Sequence, residues 1–332
     1  MLLMGRYDEG WREYEWRWKK FPHEQRHVGG AAMRWDGYDI TGKTILLHAE
    51  QGMGDAIQFA RYVRGLASGD LGESIRSKNR VRDDLLRYFP NTFELVMLSL
   101  ALAVLLGVPL GMLSAVYQNT WIDHVTRVVS VSGVAVPAFW LGLMLQLLLA
   151  LHWGWLPLGG RLNLTTPPPE PITHLLFVDA LLRGQWRTFA DALAHAVLPV
   201  VTLCFPALAS ILRVNRAEMI ETLRQDYITT ARASGVSEPR VVARHALRNA
   251  MIPTLTMIGL RYGWMLGGTI LVETVYDWPG IGLYAVASAV SSDFQPIMGV
   301  TLVIGVNFML ANLLIDLAYG WLDPRLRRTT QT

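Results

Sequence analysis

Five apolar runs long enough to cross a bilayer, separated by polar connections, dominate the chain from residue 91 onward. They cover residues 91–116, 125–151, 193–212, 252–275 and 295–322. About 20 apolar residues suffice for one crossing, so each run predicts a transmembrane helix. Gly107, Pro109 and Gly111 lie in the first run, Pro137 in the second, Pro199 and Pro206 in the third. Membrane helices tolerate such residues when neighbours satisfy the freed backbone groups. Ahead of the first run, Val81 to Phe89 alternates as a short amphipathic helix that Pro90 is expected to end. After the second run, Trp153 and Trp155 sit where a membrane–water interface is expected. Pro167, Pro168, Pro169 and Pro171 keep the following connection extended. Between the fourth and fifth runs, Trp278-Pro279-Gly280-Ile281-Gly282 predicts a turn, and Leu283 to Val290 a helix lying in the interface.

Residues 1–68 follow a different pattern. Charges alternate with Trp11, Tyr14, Trp16 and Trp18, the signature of a soluble amphipathic helix. Thr44 to Ala49 reads as a short strand, Gly52-Met53-Gly54-Asp55 as a turn, and Ala56 to Ala67 as a helix. Glycines at such a turn let backbone N–H groups approach a phosphate, but no second unit of this type follows, and a plain strand-to-helix turn is the simpler reading. The expected organisation is a soluble α/β fragment over 1–68, a polar lead-in with an amphipathic helix over 69–90, and a transmembrane domain over 91–328.

Composition supports this division. The 332 residues are 52% hydrophobic and 17% charged, too apolar for an ordinary soluble protein. A net charge of +3 gives no reason to expect nucleic acid. The single cysteine, Cys204, excludes an internal disulfide. The opening apolar stretch, Met1 to Met4, is too short for a signal peptide. No Gly-x-x-x-x-Gly-Lys-Ser/Thr phosphate loop occurs, and no catalytic, metal-binding or cofactor-binding constellation stands out.

Charge placement orients the spans. The connection 213–251 holds Arg213, Arg216, Arg224, Arg232, Arg240, Arg244 and Arg248, and the tail holds Arg325, Arg327 and Arg328; residues 276–294 hold no Lys or Arg. Positive charge marks the cytoplasmic side. The loop 213–251 and the C-terminus therefore belong inside, which leaves residues 1–90 outside despite their 15 Lys and Arg. Within the basic loop, small residues at 231, 233, 234 and 235 permit close approach by a partner, and Gly235 can end a helix. Arg261 falls at the middle of the fourth run, where a charge belongs in a bundle interior or a wet pathway rather than in lipid. Asn312 and Asp316, four residues apart, share one face of the fifth. Glu273 flanks the external end of the fourth run, suited to cap the turn at Pro279, Gly280 and Gly282 or to meet an external partner.

Two resemblances add to this reading. Tyr7 to Trp18, Gly42-Lys43 and His48 to Tyr62 resemble the junction between a tetratricopeptide repeat and the first strand of heptosyltransferase-like proteins. Residues 69–328 resemble the permease subunit of bacterial ABC importers for dipeptides, oligopeptides and nickel. That second likeness is carried by Gly69 to Arg76, Pro137 to Gly142, Asp226 to Gly235, Arg244 to Pro253, Glu273 to Gly282 and Asp323-Pro324-Arg325. It implies an all-α polytopic fold, here with the family's usual first helix missing, in a bacterial inner membrane. It implies coupling to ATPase subunits through Asp226, Tyr227, Thr229, Thr230, Ala231, Arg232, Ala233 and Gly235, with Thr229 standing where the wider superfamily has Glu. It also implies a second homologous permease subunit, two ATP-binding cassette subunits, a periplasmic substrate-binding protein and no resident cofactor. The competing readings are a glycosyltransferase-related fusion and a non-functional fusion lacking the first membrane helix.

Overall fold

A computed structural model describes residues 70–322, without the side chains of Asp316 and residues 318–322. The expected strand, turn and helix of 1–68 and the basic tail after 322 lie outside the described residues. Among the described residues the only sheet-type pairing is an isolated bridge, Glu73 to Arg80. All else is helix and connection.

The chain runs through α1 (Val81–Val116), α2 (Trp121–Ala135), α3 (Ala138–His152), α4 (Leu176–Leu182), α5 (Trp186–Leu223), α6 (Asp226–Ala233), α7 (Glu238–Val275), α8 (Ile281–Val290) and α9 (Phe294–Leu322). Four of these, α1, α5, α7 and α9, are long and apolar enough to cross a membrane, and α2 with α3 forms a bent pair that brings the number to five if it counts as one span.

The structure corrects three boundaries. Pro90 does not end a helix: the amphipathic segment and the first run are one 36-residue helix with Pro90 and Pro109 inside it. A proline removes one N–H and crowds one carbonyl, a loss the surrounding bundle absorbs. The third run is the middle of a 38-residue helix, about 57 Å long against a hydrocarbon core of about 30 Å. Arg213 and Arg216 therefore belong to α5, and the connection between α5 and α7 narrows to residues 224–237. The second run is not one straight helix. Val136 is extended (φ −83°, ψ 121°) ahead of Pro137, as the residue before a proline prefers, and the axis turns by 106° there.

Close contacts fix the register. A Cβ on Gly107 would lie 3.1 Å from the Ile211 side chain, and one on Gly111 2.9 Å from the Leu212 carbonyl, so α1 runs parallel to α5. Asn215 donates to Thr254 at 3.2 Å while Gly268 lies beside Leu203, so α7 runs antiparallel to α5. The bent pair climbs the bundle from Asp123 beside Arg216, through Ser130 bonded to the Ala209 carbonyl, to Gln146 bonded to the Val275 carbonyl. It thus reaches the opposite end despite its bend. A Cβ on Gly133 would come within 2.5 Å of the Ala209 Cβ, the close small-residue packing that holds membrane helices together. The principal core gathers Leu95, Val96, Ala103, Ala196, Leu198, Leu203, Leu208, Ile211, Leu266 and Tyr276 around α5.

Candidate functional site

One end of the bundle, the end expected to face the cytoplasm, is built on α6. Gln225 is extended (φ −74°, ψ 148°) and starts the eight-residue helix. Asp226 stands in its first turn and Arg232 in its last, each complementing the helix dipole. Ile228 is fully buried while Asp226, Thr229, Thr230, Arg232 and Ala233 are exposed and Ala231 is half-buried. Ile228 inserts into a small apolar cluster with Ala115, Met219, Val241, Val242, Ala246 and Ala250. Tyr227, 41% exposed, accepts a hydrogen bond on its hydroxyl from Asn249. Gly235 ends the hairpin in the left-handed region (φ +78°) with nothing within 4 Å of where a Cβ would stand. That conformation favours glycine.

Arg232 then reaches forward to Glu238 with two bonds, Nη2 to Oε1 at 2.6 Å and Nε to Oε2 at 3.1 Å. This fork ties the end of α6 to the start of α7. The Arg232 bonds hold the exposed Glu238 carboxyl below its ordinary value. All the residues singled out for coupling thus fall on one hairpin: a short helix anchored by the buried Ile228 with Ala231 packed beside it, and with a row of small and polar residues facing out.

The external end is constructed differently. Glu273, fully buried at the end of α7, accepts from Thr92 Oγ1 at 2.6 Å and from the Gly282 and Leu283 N–H groups at 2.7 and 3.0 Å. It caps the N-terminus of α8, where a carboxylate is favoured, and is not presented to solvent. A Cβ on Gly280 would lie 2.4 Å from that carboxylate, and one on Gly282 2.7 Å from the Ile270 backbone, so both positions require glycine. Pro279 gives its carbonyl to the Asn91 side chain at 2.6 Å.

Arg161, in the external connection, bonds both Asn91 and Glu94 and lies over the Trp278 ring at 5.2 Å. Its side chain is 14% exposed and that of Glu94 6%. Glu94 also accepts from the Phe177 N–H at 2.9 Å. Burial pulls the Arg161 guanidinium below its ordinary value, and Glu94 opposes that shift. Sequence reasoning had not singled out Arg161; the lone carboxylate at the start of the first run was the signal that a cation had to come to it.

The remaining candidates lie within the spans. Arg261 is half-buried on α7. The neighbouring face of α7 meets α9 instead: Gly259 lies against Ile315 and Gly263 against Phe308, and Tyr262 bonds Asn307. Asn312 is half-buried on α9. The side chain of Asp316 is outside the described residues. A second ion cluster, unforeseen from sequence, joins α1, α2 and α5 near their inner ends. There Asp123, fully buried, accepts from Ser114 at 2.7 Å, Arg127 at 2.6 Å and Arg216 at 2.7 and 3.0 Å.

Comparison with known proteins places this architecture. Residues 107–328 match the family described as binding-protein-dependent transport system inner membrane component. The chain is 46% identical over 272 residues to the probable D,D-dipeptide transport system permease protein of Escherichia coli, covering 82% of this chain and 80% of that one. It is 39% identical over 274 residues to the dipeptide transport system permease of Alkalihalophilus pseudofirmus, covering 82% and 81%. It is 37% identical over 270 residues to the glutathione transport system permease of Pectobacterium atrosepticum, covering 81% and 79%.

Proposed function

Because this chain belongs to the family of binding-protein-dependent transport system inner membrane components, we propose that it forms half of an import pathway for dipeptides or related peptide-like solutes and receives its driving force through α6. As a multi-pass permease subunit of the bacterial inner membrane it is a transport protein rather than an enzyme, and ATP hydrolysis belongs to partner subunits. The full assembly in this reading is this chain, a second homologous permease, two ATP-binding cassette subunits and an external substrate-binding protein. Peptide-like solutes are favoured because the relatives above are dipeptide and glutathione permeases.

One observation carries the coupling assignment: α6 exposes Asp226, Thr229, Thr230, Arg232 and Ala233 while Ile228 is its one fully buried side chain, anchored in the bundle. A lever must be attached to what it moves and free on the side where it is pushed. Force on the outward face of α6 passes through Ile228 to Met219 of α5 and Val241 of α7, the two helices that also carry Arg213 and Arg261. Arg261, with Asn312 and Asp316, lies along the pathway in this reading. Residues 1–68 count in this reading as a heptosyltransferase-like fragment without independent activity, so their deletion leaves coupling intact.

Co-purification of the ATPase subunits from native membranes tests the assignment. Ala233 is exposed, so Ala233→Trp leaves the bundle undisturbed but blocks a close-fitting partner. The expected result is normal abundance of this chain and loss of the bound ATPase. Retention of the ATPase by Ala233→Trp would overturn the role of α6.

A further inference from the structure

The spans expose two kinds of surface. α2 turns out Val128, Val131 and Val134, and α9 turns out Met309, Leu310, Leu313, Leu314 and Leu317, apolar rows that match lipid tails. α7 is different. Its exposed positions within 252–275 are Thr256, Leu260, Trp264, Gly267, Leu271 and Thr274. Each follows the last by three or four residues, so all six lie on one stripe of the helix. α5 covers one flank of that stripe, where Thr254 bonds Asn215 and Gly268 lies beside Leu203. α9 covers the other, where Gly259 and Gly263 meet Ile315 and Phe308 and Tyr262 bonds Asn307. The stripe is what these two neighbours leave open.

Trp264 is out of place on a lipid-covered face. It is 75% exposed and stands midway along the apolar run 252–275, about 17 Å from either end. Exposed tryptophans belong at the membrane interfaces, where the ring meets lipid and the N–H meets water. Trp121 and Trp186 open their helices, and Trp153 and Trp155 lie in a connection. Trp264 instead carries its indole N–H outward at the depth of the bilayer centre. Hydrocarbon offers that N–H no acceptor, and leaving a polar group unpaired there is costly.

Two neighbours point the same way. Gly267, one turn along and on the same stripe, has nothing within 4 Å of where a Cβ would stand. It leaves a hollow beside the indole ring, and packing within this chain does not use it. Arg261 is seven residues from both Thr254 and Gly268, which places it on the flank toward α5. It is only half-buried there, so its uncovered part opens onto the stripe. Charges at this depth face a bundle interior or water rather than lipid.

We propose that the exposed stripe of α7 is a wetted lining of the pathway, and that Trp264 is the side chain in it that meets a peptide-like solute. This rests on the reading of the chain as half of an import pathway and deepens it, by naming the face and the contact. The indole ring offers a flat apolar surface to a solute side chain, and its N–H a hydrogen bond to a peptide carbonyl. The hollow at Gly267 gives the solute room beside the ring. A mostly apolar wall with few polar groups is the usual make-up of a small-molecule site. A single aromatic contact also binds weakly enough for the solute to leave again, as transit requires.

Thiol labelling tests the lining, in native membranes carrying the whole importer and opened by freeze–thaw so that reagent reaches both faces. Cys204 is the single cysteine of the chain and is buried, so the unaltered chain is a silent background when labelling is read on this chain alone. Leu260→Cys and Leu271→Cys flank Trp264 on the stripe; Val131→Cys and Leu314→Cys stand on the apolar rows of α2 and α9. The probe is a sulfonate-bearing methanethiosulfonate, which stays in water and reacts with the ionised thiol. The expected result is modification at the two stripe positions about tenfold or more faster than at the other two. Equal rates at all four positions, or no reaction on the stripe, would overturn the lining, because the face is then covered by lipid or packed dry against another subunit. Photo-crosslinking tests the contact. p-Benzoylphenylalanine placed at Trp264, and separately at Leu260, is illuminated while the importer is supplied with ATP and radiolabelled alanyl-alanine. The expected result is label on this chain that excess unlabelled dipeptide removes, with none when the same group stands at Leu314. Failure of both stripe positions to capture the dipeptide, under conditions where the unaltered chain imports it, would overturn the contact. An unaltered chain that imports no dipeptide would instead remove the importer reading for such solutes, while fast labelling at Leu260→Cys and Leu271→Cys would still establish a wet face, so the two failures are distinguishable.

Discussion

The two ends of the bundle are fastened by opposite means. At the external end Arg161, Glu94, Glu273, Thr92 and Asn91 join α1, the external connection, α7 and α8 through hydrogen bonds and a buried ion pair. At the cytoplasmic end α6 is held by Ile228, by one Tyr227–Asn249 bond and by one exposed ion pair. Buried polar networks are rigid because breaking any member leaves the others unpaired in a poor solvent. An exposed helix with one apolar anchor moves as a unit at small cost. The difference suits the Glu273 turn to fixing the frame and, on the proposed reading, the hairpin to moving against a partner.

The contrast is broken most severely at Arg161. Arg161→Ala leaves Glu94 charged and alone, and the expected loss is about 4 kcal/mol, read as a lower thermal midpoint in detergent. Replacing both, Arg161→Met with Glu94→Leu, should recover most of that loss, since no lone charge remains. Glu273→Ala comes next: it strands the Thr92 hydroxyl and two N–H groups at the start of α8, for about 3 kcal/mol, measured in the same way. Both changes should leave the ATPase contact of any chain that folds unaltered.

Ile228→Ala inverts that pattern. The expected cost is about 2 kcal/mol, confined to local opening of α6. Hydrogen exchange should rise over 226–233 with little change in global midpoint, and ATPase co-purification should fall. The smallest effect belongs to Glu238→Gln, which removes an exposed pair screened by water and salt. Arg232 holds the Glu238 carboxyl below its ordinary 4.5. A depressed carboxyl contributes above its unfolded value and loses that contribution as pH falls through the folded one. The fork therefore persists at neutral pH and dissolves only in acid. Hydrogen exchange at residues 232–238 in Glu238→Gln at neutral pH should match the unaltered chain in acid.

The crossings were legible because lipid acts on single residues: each apolar run declares itself without knowledge of its neighbours. Gly235 and the small residues beside it marked the hairpin for the same local reason. Their limits were not legible. Pro90 and Pro137 look alike in sequence, yet one lies inside a continuous helix and the other marks a 106° turn. Which outcome follows depends on the helices packed beside each proline. Arg213 read as a loop cation because charge ends an apolar run, whereas α5 simply continues beyond the bilayer.

The sequence alone determined that this chain crosses a membrane repeatedly and where Gly235 lets a helix end. Both follow from solvation and local backbone freedom, which are properties of a residue and its immediate neighbours. Only the tertiary structure decided which charges meet. Glu94 finds Arg161 67 positions away, and Thr92 finds Glu273 181 positions away. In a low-dielectric bundle the consequence of a charge depends on its partner, and partners are chosen by how helices pack rather than by their order along the chain.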